Sequence, residues 1–186
     1  MNFLSLNAAL LAFAMVTPAV PIEPTDREKV IAAAESQVGV REATGKNDGE
    51  VDKYLKAVSL GGSRAPYCAA FNTWVGDEAL GRSSNPYPRS AWSPDHVKGG
   101  VRFTKDTNIN GGEAFGIWFK DKGRVAHTGL CVKKISSGVV TIEANTSASA
   151  AFGSAQDREG HGVYRKLRPI TAIHSSRDWL DNPKKP

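Results

Sequence analysis

Only two cysteines, Cys68 and Cys131, occur in the 186 residues. At most one bridge can form, which excludes a disulfide-stapled scaffold. Collagen-like, coiled-coil and disorder-type composition bias is missing, and no internal repeat is visible. The four histidines, at 96, 127, 161 and 174, lack ligand spacing, and no His-Glu-x-x-His segment occurs. Neither a metal nor a cofactor is therefore expected. No Gly-x-Ser-x-Gly elbow marks a serine hydrolase. The run Gly39 to Lys46 has one residue too many between its glycines for a phosphate loop, and Asn47 stands where Ser or Thr is needed. Asn47, Asp48, Glu50 and Asp52 fall short of a calcium loop and read as the acidic first turn of a helix.

Charge is also absent from Met1 to Val20. Phe3 to Val16 is mostly apolar, and Thr17-Pro18-Ala19 offers small residues for cleavage. A secretory leader over residues 1–20 is expected, although its first residues lack the usual Lys or Arg. The apolar run is short for a membrane span. The mature chain is thus expected outside the cytoplasm, in the periplasm or beyond, without stable membrane insertion.

What is present begins with an excess of basic residues, giving a net charge of +5. An anionic partner is favoured: nucleic acid, anionic lipid or bacterial wall polymer. The basic residues are scattered, with no aromatic-interleaved stripe, so nucleic acid is not the expected partner. A 40 % hydrophobic content supports one packed core, read as a monomer.

Residues 21–24 read as a linker, 25–175 as one domain and 176–186 as a C-terminal tail. Thr25 and Glu28 form a capping box for a first helix with Val30, Ile31, Ala34 and Val38 at helical spacing, stopped by Gly39. A second helix is expected from Glu50 to Leu60. The third starts near Cys68, because Pro66 marks the boundary, and runs to Gly81 with Phe71, Trp74, Val75 and Ala79 on one stripe. Residues Arg82 to Gly112 read as a long ordered loop lining a cleft. The period then changes to two. Strands are expected over Ala114 to Phe119, Val125 to Ile135, Val139 to Glu143 and Gly162 to Leu167, with a loop from Ala144 to Gly160. Asp178-Trp179-Leu180 closes the domain. Helices first and strands afterwards indicate α+β, with N-terminal helices packed on an antiparallel sheet.

Chemistry concentrates at Cys68. The partial positive charge of a helix N-terminus favours thiolate, and a nearby His127 would favour it further as an ion pair. Unpaired N–H groups at the same helix start can bind an oxyanion, so Tyr67 and Ala69, flanking the thiol, are expected in that shell. A turn at Ser136 to Gly138 folds the next strand back beside His127. Either Glu143 or Asn145 then lies near enough to accept the imidazole N–H. Tyr87, Arg89 and Trp92 are candidates for lining a substrate groove, as is Trp118, for which burial is an equal expectation. Cys131 lies on the same strand face as His127. It is read as a reduced core residue, because a bridge to Cys68 would consume the nucleophile.

The chain resembles the CHAP branch of the NlpC/P60-type cysteine peptidases. The resemblance rests on Gly39-Val40-Arg41-Glu42, Asp52-Lys53-Tyr54-Leu55, Pro66-Tyr67-Cys68-Ala69-Ala70-Phe71, Gly112-Glu113-Ala114, Ala126-His127-Thr128-Gly129-Leu130, Ile142-Glu143-Ala144-Asn145-Thr146 and Gly162-Val163-Tyr164-Arg165. It covers about residues 25 to 170, with the segments around Cys68 and Glu143 the most specific. Glu113, where the family often has Asp, and Thr128, where it often has Val, depart from its pattern. The resemblance implies a papain-like α+β fold and cleavage of peptidoglycan amide bonds. It assigns Cys68 as nucleophile, His127 as base, Glu143 as orienting group and Asn145 as a fourth polar member. The bond cut would be the N-acetylmuramoyl-L-alanine amide or one within the stem peptide. The rival readings are a transglutaminase-like acyltransferase using the same thioester, and a catalytically silent wall-binding module. Use as a toxin against competitors is a further option.

Overall fold

A computed structural model describes residues 23–149 and 155–181. The expected leader at 1–20, the first residues of the linker, part of the loop before Gly160 and the end of the tail lie outside the described residues.

The first helix, α1 (Asp26–Glu35), starts where the capping box places it. The Thr25 N–H donates to Glu28 Oε2 at 2.7 Å, and the Thr25 hydroxyl accepts from the Glu28 N–H at 3.3 Å. Such a cap is worth about 1 kcal/mol. Val30 and Ala34 are buried, but Val38 is exposed, because the helix ends at Glu35. The chain then turns away to pair with Val163, through Gly39 N–H to Val163 O at 3.0 Å and Val163 N–H to Val40 O at 2.9 Å. The second helix, α2 (Asp52–Ala57), is shorter than expected and follows a single 3₁₀ turn at Gly49–Val51. Its Tyr54 meets Phe71 edge-on at 5.2 Å and Trp74 at 5.3 Å, fixing α2 against α3 (Cys68–Leu80).

The segment Arg82 to Gly112 is not wholly loop. It contains a short helix, α4 (Ser93–Val97), and a two-residue strand, β1 (Val101–Arg102). Side chains bind its first part to α3: Thr73 donates to Pro88 O at 2.6 Å, and Asn85 donates to Thr73 O at 2.7 Å. Glycine is needed at position 76, where a Cβ would sit 2.1 Å from Asn85 Oδ1. Pro94 does not prevent α4, since it falls within the first turn, where the missing N–H has no helical acceptor.

Five further strands complete the sheet: β2 (Ala114–Phe119), β3 (Arg124–Ile135), β4 (Gly138–Thr146), β5 (Gly162–Arg168) and β6 (Ser175–Arg177). All neighbours are antiparallel, in the order β1-β6-β2-β3-β4-β5. The expected α+β class is therefore observed. A short helix, α5 (Ala155–Arg158), interrupts the connection from β4 to β5. Strand β4 runs three residues past Glu143, because a bulge at Asn145 (φ +58°) lets Thr146 pair with Gly162.

The sheet is buried on both faces. Val30, Tyr54, Phe71 and Val75 of the helical layer pack with Ala114, Leu130 and Ile142. Phe103, Phe115, Ile117, Cys131, Val139 and Ile173 form a second cluster. Leu130 and Cys131, adjacent on β3, thus serve opposite sides, as the period of two requires. The sheet also extends beyond residue 175. Ser176 pairs with Val101 and Phe115, and the Trp179 indole, buried, donates to His96 O at 2.8 Å. The expected tail therefore begins with core structure.

Candidate active site

Cys68 is the first residue of α3, and its helix has no side-chain cap at Tyr67. The first intrahelical bond is Phe71 N–H to Tyr67 O at 2.9 Å. The N–H groups of Cys68, Ala69 and Ala70 are therefore the helix's unpaired donors, beside the thiol. Tyr67 enters through its side chain: its hydroxyl donates to Glu42 Oε1 at 3.0 Å, while Glu42 Oε2 accepts the Asn47 N–H at 3.0 Å. This tether fixes the residue before Cys68. Ala69 is fully buried.

His127 meets Cys68 from β3. In the β3–β4 ladder Leu130 faces Ile142, so Glu143 lies diagonally across from His127 on the same face. His127 Nε2 and Glu143 Oε2 are 2.9 Å apart, both side chains fully buried. The other ring nitrogen, Nδ1, is buried without a hydrogen-bond partner and is the one left for the thiol. Burial alone raises the Cys68 thiol, but His127, with help from Ser93 and the Thr128 N–H, outweighs it and the thiol is lowered. Burial likewise pushes His127 down, and Cys68 and Glu143 overcome this to hold it at about 9. Both directions describe a thiolate–imidazolium pair.

Asn145 is not the group that orients the histidine. Its Nδ2 instead donates to Arg158 O at 2.9 Å, tying the end of α5 to the bulge. The three expected groove residues separate. Tyr87 is a core side chain, its hydroxyl donating to Gly112 O. Arg89 grips Asp77 with two bonds of 2.9 Å and donates to Ala57 O, a bracing role. Neither presents a free side chain to substrate. Trp92 is 49 % exposed, and it directly precedes Ser93, whose hydroxyl lies 3.5 Å from Cys68 Sγ. Trp118 is 47 % exposed, stacked on His174.

Ser93 and a buried charge chain are absent from the sequence-based site. Arg168 Nε donates to Glu143 Oε1 at 2.7 Å, and its NH2 group also reaches Glu143 Oε2. The same guanidinium binds Asp157 through NH1 at 2.8 Å and NH2 at 2.7 Å, and Lys166 binds Asp157 at 2.7 Å. Thr141 donates to Glu143 Oε1 at 2.6 Å. Burial alone raises the Glu143 carboxyl; Arg168 first, then His127, hold it far below the usual carboxylate range. Charges thus alternate from Cys68 through His127, Glu143, Arg168 and Asp157 to Lys166. The available signal was weak: two basic residues spaced by two on a strand beside a strand bearing Thr141 and Glu143.

Both cysteines are free. Burial raises the Cys131 thiol well above its ordinary value, with Glu113 and Glu143 adding to the effect. Among the described residues, no cluster of three or more His, Cys, Asp or Glu is placed to hold a metal ion, and no helix is long and apolar enough to cross a membrane. No protein-family model, curated protein or solved structure matches the chain.

Proposed function

We propose that the protein is an exported cysteine hydrolase of peptidoglycan amide bonds, an N-acetylmuramoyl-L-alanine amidase or a stem-peptide endopeptidase, with a papain-like CHAP fold. The observation that carries this reading is the buried His127, bonded at 2.9 Å to Glu143 and paired through its other side with a lowered Cys68 thiol at a helix start. The Cys68 thiolate attacks the amide carbonyl carbon, and the carbonyl π electrons move onto oxygen. The unpaired N–H groups at the start of α3 hold that oxyanion. As the tetrahedral intermediate collapses, the C–N bond breaks and imidazolium His127 gives its proton to the leaving amine. Neutral His127 then takes a proton from water, whose oxygen attacks the thioester. The acid leaves and the thiolate–imidazolium pair is restored. Glu143 holds the ring orientation throughout and stabilises its charged form.

Purified sacculi provide the test, with soluble muropeptides read by mass spectrometry. Wild type releases fragments with new amine and carboxyl ends; Cys68→Ala and His127→Ala do not. Equal release by Cys68→Ala overturns the reading. Products joined to an added amine instead of water identify an acyltransferase, and sacculus binding without release identifies a wall-binding module.

A further inference from the structure

Trp92 and Arg124 meet next to Ser93, whose hydroxyl touches Cys68 Sγ. The Arg124 guanidinium carbon lies 3.9 Å from the centroid of the Trp92 ring, close enough for a face-on cation–π contact. Each residue has a covalent path to the catalytic machinery. Trp92 precedes Ser93, which touches Cys68 Sγ at 3.5 Å, and Arg124 opens the strand that carries His127. Arg124 is half-buried, and one of its donors is spent on Val125 O at 2.9 Å. Among the described residues no carboxylate forms an ion pair with it. The nearby Arg158, across Phe119, is by contrast paired with Glu159.

A guanidinium held over an indole by a cation–π contact still carries edge N–H donors for a second partner. Its rotamer freedom is already restricted, so less entropy is lost when it binds. That edge matches a carboxylate and its two oxygens. The indole adds an apolar platform of which nearly half is exposed.

We infer that Arg124, held over Trp92, is a specificity residue that binds a free carboxylate on the substrate peptide next to the scissile amide, an inference that rests on the hydrolase reading above. The substrate class is thereby narrowed to stem peptides bearing an unamidated carboxyl group near the cut.

Two soluble muramoyl stem peptides test it, one with a free side carboxylate and one with that carboxyl converted to a primary amide. For wild type, KM for the amidated peptide is expected to be about ten-fold higher, with kcat changed by less than about two-fold, the size of one charge-assisted contact. Arg124→Gln removes the difference by raising KM for the carboxylate peptide alone, and Trp92→Leu reduces it. Thermal unfolding confirms that both variants fold. Binding of the two peptides to Cys68→Ala, measured by calorimetry, reports the same preference without turnover. Hydrolysis with no Arg124-dependent preference overturns this inference and leaves the hydrolase reading standing. No hydrolysis, but carboxylate-selective binding lost in Arg124→Gln, does the reverse. Equal binding of both peptides to Cys68→Ala overturns the inference whatever the turnover shows.

Discussion

Arg168 donates through Nε to Glu143 Oε1 at 2.7 Å and through its NH2 group to Oε2, the oxygen bonded to His127, so the carboxylate beside the histidine is itself held by a second partner. Arg168 is 2 % exposed and also grips Asp157. Removing it leaves two buried carboxylates without their shared cation. Arg168→Met is expected to cost about 3–5 kcal/mol of stability, the usual penalty for breaking a buried pair from one side. Urea unfolding checks this. Arg168→Lys keeps a charge but cannot span both carboxylates, so it should fall between Met and wild type. A loss below about 1 kcal/mol in Arg168→Met would show that water satisfies the network.

The thiolate–imidazolium pair sets the pH response. His127 is held at about 9, above its ordinary 6.5, so its contribution to stability is complete below about pH 6.5 and is lost as pH rises through about 9. Glu143 works in the other direction: its contribution is present above the ordinary carboxylate range and fails only in strong acid. Hydrolysis needs protonated His127 for the leaving amine, so kcat/KM should hold through neutral pH and decline near pH 9. An alkaline limb centred near 7 contradicts the paired state. Unfolding of wild type against His127→Gln at pH 6 and pH 10 isolates the stability share, with the larger difference expected at pH 6.

Two thiols with opposite shifts should differ in chemistry. Cys68 is lowered by His127 despite burial, whereas burial raises Cys131. Iodoacetamide at neutral pH should label Cys68 on the native protein, and Cys131 only after denaturation. A non-reducing peptide map should show no link between them. Finding a Cys68–Cys131 bridge in the active protein removes the nucleophile and sinks the mechanism.

Local signals carried much of this structure. The capping box at Thr25 and Glu28, the proline before Cys68 and the period-two runs each act within a few residues, and each located an element. The turn at Ser136 and Ser137 sufficed to bring β4 beside His127. Tertiary competition decided the rest. Val38 lost its helical place because Gly39 and Val40 pair with Val163. Tyr87 is an aromatic in a loop that looks available for substrate, but its hydroxyl is claimed by Gly112 O. Arg168 lies one residue past the strand expected to end at Leu167, and its burial against Glu143 and Asp157 depends on the β4–β5 register and on α5, neither of which a local pattern specifies.

Asn145 separates a structural polar residue from a catalytic one. Its backbone sits at φ +58°, which glycine and asparagine tolerate best; its Nδ2 donates to Arg158 O, and its Oδ1 is buried without a hydrogen-bond partner. Asn145→Gly loses one hydrogen bond and should cost about 1 kcal/mol. Asn145→Ala adds the strain of a Cβ in the left-handed region and should cost about 2 kcal/mol in total. Because Glu143 retains the imidazole, kcat of both variants should remain within about ten-fold of wild type. Glu143→Gln leaves His127 without its anionic partner and should lower kcat by about 100-fold or more, as loss of the orienting acid does in a catalytic triad. If Asn145→Gly reduces kcat as far as Glu143→Gln while unfolding normally in urea, Asn145 acts on the reacting groups directly, and its bond to Arg158 is incidental to that role.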